Sequence, residues 1–300
     1  MDSIGILLSA PWLMLQLAVD GVLIGALFAL AAYGMALVWG VMNIINIAQG
    51  EFVMLGGFVT LFVAQAGYHP LLLGVPASAV ALFVLGWIIY RLIIFRIVDG
   101  DLFISILATF GISILLQQLA NQLFGADVRT VSADLGSVAL FGGNLVVGWI
   151  KVIAFFAALL LGAGLFLFLK FSRLGQAIRA TSQNSRAARI LGVDTDRVYA
   201  ATYAINAAIC GAAGGLVVMT WFTHPFLGLP YTVRSFMIVV VAGLGNLMAV
   251  LWAGLGLGIA ENYAGFILGA EFQAAFIFLL LVVILVWRNH RLARRRMVLK

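Results

Sequence analysis

Residues 153–169 read IAFFAALLLGAGLFLFL, seventeen consecutive positions without a charge or an amide, ending at Lys170. About 20 helical residues cross the hydrocarbon core of a bilayer. A run of this length is therefore a spanning helix, since a transmembrane barrel would show short alternating segments instead. Residues 276–287 repeat the pattern near the other end of the chain. Composition agrees: 64% of the 300 residues are hydrophobic and 9% are charged, against about 25% charged in a soluble domain. So few charges cannot cover a water-facing surface.

Outward from that run, nine candidate spans follow: 13–38, 52–66, 71–90, 102–124, 149–169, 198–221, 231–244, 248–268 and 272–287. The expected fold is all-α, a polytopic membrane bundle of about 8–10 segments forming one domain over 1–300. Of 17 Lys and Arg, six fall in 170–197 and six in 288–300. Such clusters suit nucleic acid or anionic lipid, but in a polytopic chain the positive-inside rule explains them and puts both stretches in the cytoplasm. Counting crossings then places the C-terminus inside and the N-terminus outside. The first segment lacks the basic region and cleavage site of a signal peptide and is expected to be retained. Cys210, the single cysteine, excludes a disulfide framework and reads as a buried small residue.

Two spans, 52–66 and 231–244, are short, and each adjoins a polar, glycine-containing stretch: 43–51 before the first, 243–246 after the second. Interrupted segments at corresponding places in two halves point to broken helices and an inverted repeat. We expect the two stretches to be partners near the midplane. The 125–148 loop holds β-prone runs on either side of Gly142-Gly143-Asn144, and reads as a small hairpin or as a plain connection. Gly21 and Gly25, Gly211 and Gly215, and Gly254 and Gly258 recur at the four-residue spacing that lets helices approach closely in lipid.

No Walker lysine loop, zincin motif or paired Cys/His set is present, so the chain holds neither ATP through a P-loop nor a structural zinc. His69 and His224 read as interfacial side chains at outside loops, His290 as part of the basic tail. In 43–51, Asn43, Asn46, Gln49 and Glu51 stand between apolar runs. Buried without partners they would cost several kcal/mol, so they either cap helix ends or line a wet path. Asn46 is a candidate cap for the following helix, with Glu51 near its positive end. Intramembrane carboxylates are functional candidates by default, which adds Glu261 beside Asn262. Asp20 and Glu271 lie nearer span ends, and Arg234 is expected to snorkel to the outer interface. The 171–197 loop reads as two short amphipathic helices. Leu174, Ile178, Ala187, Ile190 and Leu191 form the apolar face, with Arg179, Arg186 and Arg189 between them. Asn184 is a plausible N-cap and Gly192 a stop. Such helices rest on anionic headgroups or dock into a soluble partner.

These residues carry a resemblance. Arg186-Ala187-Ala188-x-x-x-Gly192 resembles the Glu-Ala-Ala-x-x-x-Gly coupling motif of ABC importer permeases, with Arg in place of Glu and no Ile-x-Leu-Pro ending. The block Asn43-x-x-Asn46-x-Ala48-Gln49-Gly50-Glu51-Phe52, with Gly56-Gly57 beyond, resembles the first block of branched-chain amino acid permeases of the LivH type and their urea and amide relatives. Gly243-Leu-Gly245-Asn246 is similar to their later Gly-rich block, where Gly-Gly-x-Gly is usual and Ala242 stands here. His is common in the family where this chain has Gln49.

The resemblance implies a permease of a bacterial inner membrane that pairs with a second related permease, two ATP-binding subunits and an extracytoplasmic solute-binding protein. ATP and magnesium would sit on the partner ATPases, with no cofactor in this chain and no nucleic acid bound. Ala187, Ala188 and Gly192 would form the coupling element, with Arg179, Arg186 and Arg189 on the same arm. Asn43, Asn46, Gln49, Gly50, Glu51, Gly245 and Asn246 would lie at or near the path; Glu261 is a candidate for it as an intramembrane carboxylate, apart from the resemblance. Two alternatives are an ion-coupled secondary transporter using Glu51 or Glu261, and a urea, amide or aromatic-acid permease of the same family.

Overall fold

A computed structural model describes residues 3–98, 100–131, 135–243 and 245–298, with side chains throughout except at 3, 4, 8, 270, 274 and 288–298. The chain is helical nearly from end to end. After α1 (Ser3–Ser9) come α2 (Pro11–Met42), α3 (Gln49–Gln65), α4 (Val75–Leu92) and α5 (Leu102–Phe124). A β-hairpin, β1 (Ser137–Leu140) and β2 (Leu145–Gly148), leads into α6 (Trp149–Phe171). Then follow α7 (Arg173–Gln183), α8 (Ser185–Ile190), α9 (Thr195–Thr220), α10 (Gly228–Ala242), α11 (Leu247–Leu268) and α12 (Gln273–Val298). Among the described residues, six helical segments are long and apolar enough to cross a membrane. The expected short spans are α3 and α10, and α12 carries a shorter apolar stretch, Ala275–Trp287. The protein is a multi-pass membrane protein.

α2 and α9 form the centre and are the most deeply buried of the spanning helices. The other helices pack around them in matching ways. α2 lies along α11, α9 lies along α4, and α3 meets α10. That pattern is what an inverted relation between α2–α5 and α9–α12 requires, with α6–α8 inserted between the halves.

Close approach explains the glycine spacing. A Cβ on Gly25 would stand 2.7 Å from the Gly254 carbonyl oxygen, and one on Gly21 would stand 2.6 Å from Ile259 Cα. In the second half a Cβ on Gly211 would stand 2.6 Å from the Ser78 carbonyl oxygen. Gly25→Ala is therefore expected to force α2 from α11 and to cost about 1–3 kcal/mol, as overpacking does. Gly40→Ala, on the same helix with nothing within 4 Å of the added Cβ, should be neutral or stabilising. Thermal unfolding of the purified chain in detergent compares the two; equal melting temperatures would show that the glycine contact does not set the packing.

The 125–148 loop does form the hairpin. Its register runs from Ser137 opposite Gly148 to Leu140 opposite Leu145, and Gly142 and Gly143 turn the chain at φ +70° and +95°. Leu145 and Val147 are buried beside Leu23 of α2. Gln16 fastens β2, its amide accepting from Val146 N at 2.9 Å and donating to Val146 O at 2.8 Å. The hairpin marks one end of the bundle, because α6 runs from it to the arm formed by α7 and α8 at the other.

The arm is capped as its sequence suggests. Ser172 Oγ accepts from Gly175 N at 2.8 Å, and Asn184 Oδ1 accepts from Ala187 N at 3.0 Å. Gly192, at φ +87°, ends α8, and Val193 N donates back to the Ala188 carbonyl at 3.0 Å. The side chains of the basic tail from 288 onward lie outside the described residues.

A buried polar seam and a charged cavity

α2 stops at Asn43, which adopts a left-handed conformation (φ +54°) while its N–H still donates to Trp39 O. Residues 43–48 then run without regular structure before α3 begins. Irregular backbone at membrane depth must find partners inside the protein. Two threonines supply them. Thr109 of α5 accepts from Ile47 N at 3.2 Å. Thr232 of α10 accepts from Gly50 N at 2.8 Å and donates to the Ile47 carbonyl at 2.9 Å.

The start of α3 thus abuts the start of α10. A Cβ on Gly50 would overlap the Gly228 carbonyl, and one on Gly228 would overlap the Glu51 carboxyl. From this meeting α3 runs toward the hairpin end, where Phe58 stacks on Phe124 with centroids 4.4 Å apart. α10 runs the opposite way, and Phe236 stacks on Trp39 near the end of α2 at 5.4 Å. Two positive helix termini therefore flank Glu51.

Asn46, Gln49 and Glu51 are each no more than 1% exposed. Asn46 does not cap α3, whose N-cap is Ala48. Instead Asn46 Nδ2 donates to Gln49 Oε1 at 3.4 Å, and Tyr203 Oη donates to Asn46 Oδ1 at 3.4 Å. Gln49 Nε2 donates to Ala31 O at 2.9 Å and lies 2.9 Å from Cys210 Sγ. Cys210 in turn lies 3.7 Å from Asn206 Oδ1. Ser113 Oγ donates to Glu51 Oε1 at 3.0 Å. Glu51 Oε2 and Asn206 Nδ2 are buried with no hydrogen-bond partner among the described residues. Asn43 is exposed and outside this seam.

Cys210 is buried, as its sequence context indicates, but its place in the seam, with Tyr203 and Asn206 at helical spacing on the same face of α9, is not evident from the sequence, nor is that of Thr109, Ser113 and Thr232. A polar stripe along an apolar span was the available signal.

The expected partnership of 43–51 with 243–246 is not what the structure has. The partner of 43–51 is the first turn of α10. Gly245 and Asn246 sit at the arm end, where Asn246 caps α11 by accepting from Ala249 N at 3.1 Å. There they line a cavity of ≈ 430 Å³ together with Lys170, Arg179 and Ser182. Composition alone cannot tell a midplane break from an interfacial turn, because both need glycine and a capping amide.

Arg234 also departs from expectation. It does not snorkel but lies buried against Glu261, its Nε donating to Oε2 at 2.9 Å and its Nη2 to Oε1. Its guanidinium covers the Phe28 and Tyr231 rings, 4.9 Å and 5.4 Å from their centroids. A partner twenty-seven residues away satisfies the charge in place, so it has no need to reach water. The pair borders a cavity of ≈ 550 Å³ that opens near the hairpin, where Lys151 Nζ holds Asp20 Oδ1 at 2.7 Å.

On the arm, Ala188 is buried while Arg186 and Ala187 are exposed. Arg189 donates to Thr195 Oγ1 at 2.9–3.0 Å, and Arg179 to Lys170 O at 3.1 Å. Ile190 and Leu191 project into open space, 85% and 83% exposed.

A family model described as branched-chain amino acid transport system / permease component matches residues 17–285. The chain is similar to the high-affinity branched-chain amino acid transport system permease protein LivH of Escherichia coli K12, with 29% identity over 290 residues, 90% of this chain and 92% of that one. It is similar to BraD of Pseudomonas aeruginosa, the corresponding permease protein there, with 28% identity over 91% of this chain and 94% of that one. A probable LivH of Methanocaldococcus jannaschii is 26% identical over 84% and 81%. No solved structure matches. A match over most of the length, on a helical bundle of this kind, leaves one conclusion: the chain belongs to the family of branched-chain amino acid transport permease components.

Proposed function

We propose that this chain is the permease subunit of an ATP-driven importer in a bacterial inner membrane, and that it forms the translocation path for branched-chain or similar small amino acids. An extracytoplasmic binding protein delivers the solute at the hairpin end. Two ATPases grip the α7–α8 arm in the cytoplasm, each partner ATPase supplying ATP and magnesium, and a second related permease completes the membrane assembly. The chain is a transport subunit and not an enzyme. The basic arm and tail lie inside by the positive-inside rule.

The observation that carries this reading is the seam. Two short helices meet by their N-termini on Glu51, with Asn46, Gln49 and Gly50 held around it and two buried polar atoms left unpaired. Each unpaired buried group costs about 1–3 kcal/mol. An arrangement that keeps such groups in reserve is poised to exchange partners in a second state, as alternating access requires.

The test is uptake of labelled leucine by proteoliposomes holding the chain, its partner permease, the ATPases and the binding protein. Import should require ATP and survive collapse of the proton gradient. Glu51→Ala should lower the initial rate tenfold or more while the ATPases still co-purify. Changes at Asn46 or Glu51 should not switch solute preference while the binding protein stays constant. Uptake that needs no ATPase and stops when the proton gradient is discharged would replace this reading by ion-coupled transport through Glu51.

A further inference from the structure

The cavity at the hairpin end is separate from the Asn46–Glu51 seam and has an unusual lining. It faces two ion pairs, Lys151–Asp20 and Arg234–Glu261, on apolar walls that include Phe28 and Trp221. Asp20 and Glu261 stand on facing helices that touch at Gly21 and Gly258. Side-chain exposures of 13% for Arg234 and 6% for Glu261 show a charged floor withdrawn from bulk water.

The two pairs differ in what they leave unused. The Asp20 carboxylate is engaged on both oxygens, by Lys151 and by Gln16 Nε2 at 2.7 Å. Lys151 has three donors and one acceptor in contact, and Arg234 Nη1 donates to nothing among the described residues. Spare capacity is thus concentrated on the donors. A carboxylate meeting a guanidinium edge and an ammonium forms charge-assisted bonds. The paired anions, whose oxygens keep unused lone pairs, and the exposed Trp221 ring suit an ammonium beside it. Two cations and two anions make a cavity with no net charge from these groups, so a plain anion or cation gains little from it. A ligand carrying both signs matches both. The ≈ 550 Å³ volume falls in the range of small-molecule sites, roughly 300–1,000 Å³.

We propose that this cavity is a binding site for a zwitterionic α-amino acid within a single permease chain. Lys151 and the free edge of Arg234 receive the carboxylate, Asp20 and Glu261 face the ammonium, and the aliphatic side chain lies on Trp221 and Phe222. The proposal rests on the importer reading for the identity of the solute and adds the place where the solute is first held.

Binding of labelled leucine to the full-length chain in lipid nanodiscs tests it. Leucine should bind and saturate, and 4-methylpentanoate, which lacks the ammonium, and 3-methylbutylamine, which lacks the carboxylate, should each compete at least tenfold more weakly. Because Lys151→Met alone leaves Asp20 unpaired, the variant measured beside it is the double Asp20→Asn/Lys151→Met, which removes both charges together. Both should weaken leucine at least tenfold, with the double variant keeping the wild-type melting temperature. Unchanged affinity in the folded double variant, equal competition by either analogue, or no saturable binding at all would overturn the proposal. Leucine import by the complete complex, measured in parallel, separates the two ideas: import with no binding here removes this site alone, whereas binding here without ATP-driven import removes the importer reading.

Discussion

Glu261→Gln is expected to destabilise the protein by about 3–5 kcal/mol, the effect of stranding one member of a buried ion pair. Arg234 cannot escape the loss. Its guanidinium is wedged over Phe28 and Tyr231, and three contacts from Nε and Nη2 all end on the one carboxylate. Arg234→Met should be nearly as harmful, because it leaves Glu261 alone. The double variant Arg234→Met/Glu261→Leu should recover most of the lost stability, since apolar residues of similar volume commonly replace a buried pair at little cost or with a gain. Thermal unfolding of the three purified variants measures this. A double variant as unstable as either single change would show that the pair is not the source of the effect. Transport by the recovered double variant should remain impaired, because the cavity then has lost its deepest charges.

The arm gives the second large effect. Ile190 and Leu191 are almost wholly exposed at the end of α8, where an aliphatic pair has no structural reason to be unless another surface covers it. Burying an Ile or Leu side chain is worth about 1.5–3 kcal/mol, and every 1.4 kcal/mol is tenfold in affinity. Ile190→Asp with Leu191→Asp should therefore abolish co-purification of the ATPases and reduce ATP-driven uptake to background. Both side chains point away from the bundle, so membrane insertion and melting temperature should not change. Gly192→Val is expected to give a weaker version of the same defect, because φ +87° is strained for a β-branched residue and shifts the end of α8. Retention of the ATPases by the double Asp variant would move the contact elsewhere.

Local features of this fold were readable in the sequence, and tertiary ones were less so. The 153–169 run reads as a spanning helix because burial in lipid needs only length and polarity. The Asn184 cap, the Gly192 stop and the glycine spacing are decided within a few residues and appear as read, and of the two readings open for the 125–148 loop the hairpin is the one formed. The seam was half legible. Asn46, Gln49 and Glu51 announced themselves by polarity between apolar runs, yet nothing in that stretch says that Thr232 and Gly228 are its partners. The link spans about 180 residues. Arg234 misleads for the same reason, since a lone arginine in an apolar segment reads as reaching for water until Glu261 is seen beside it. Gly245 and Asn246 share the composition of the first stretch but sit where α11 needs a cap, a distinction that only the path of α10 settles.

One hydroxyl has a mechanical consequence at the joint between two short helices. Thr232 Oγ1 grips Ile47 and Gly50 at once, so it ties α10 to the irregular run before α3 by two bonds that share one atom. Any slip of one helix past the other must break both bonds together, an all-or-none step in place of a gradual one.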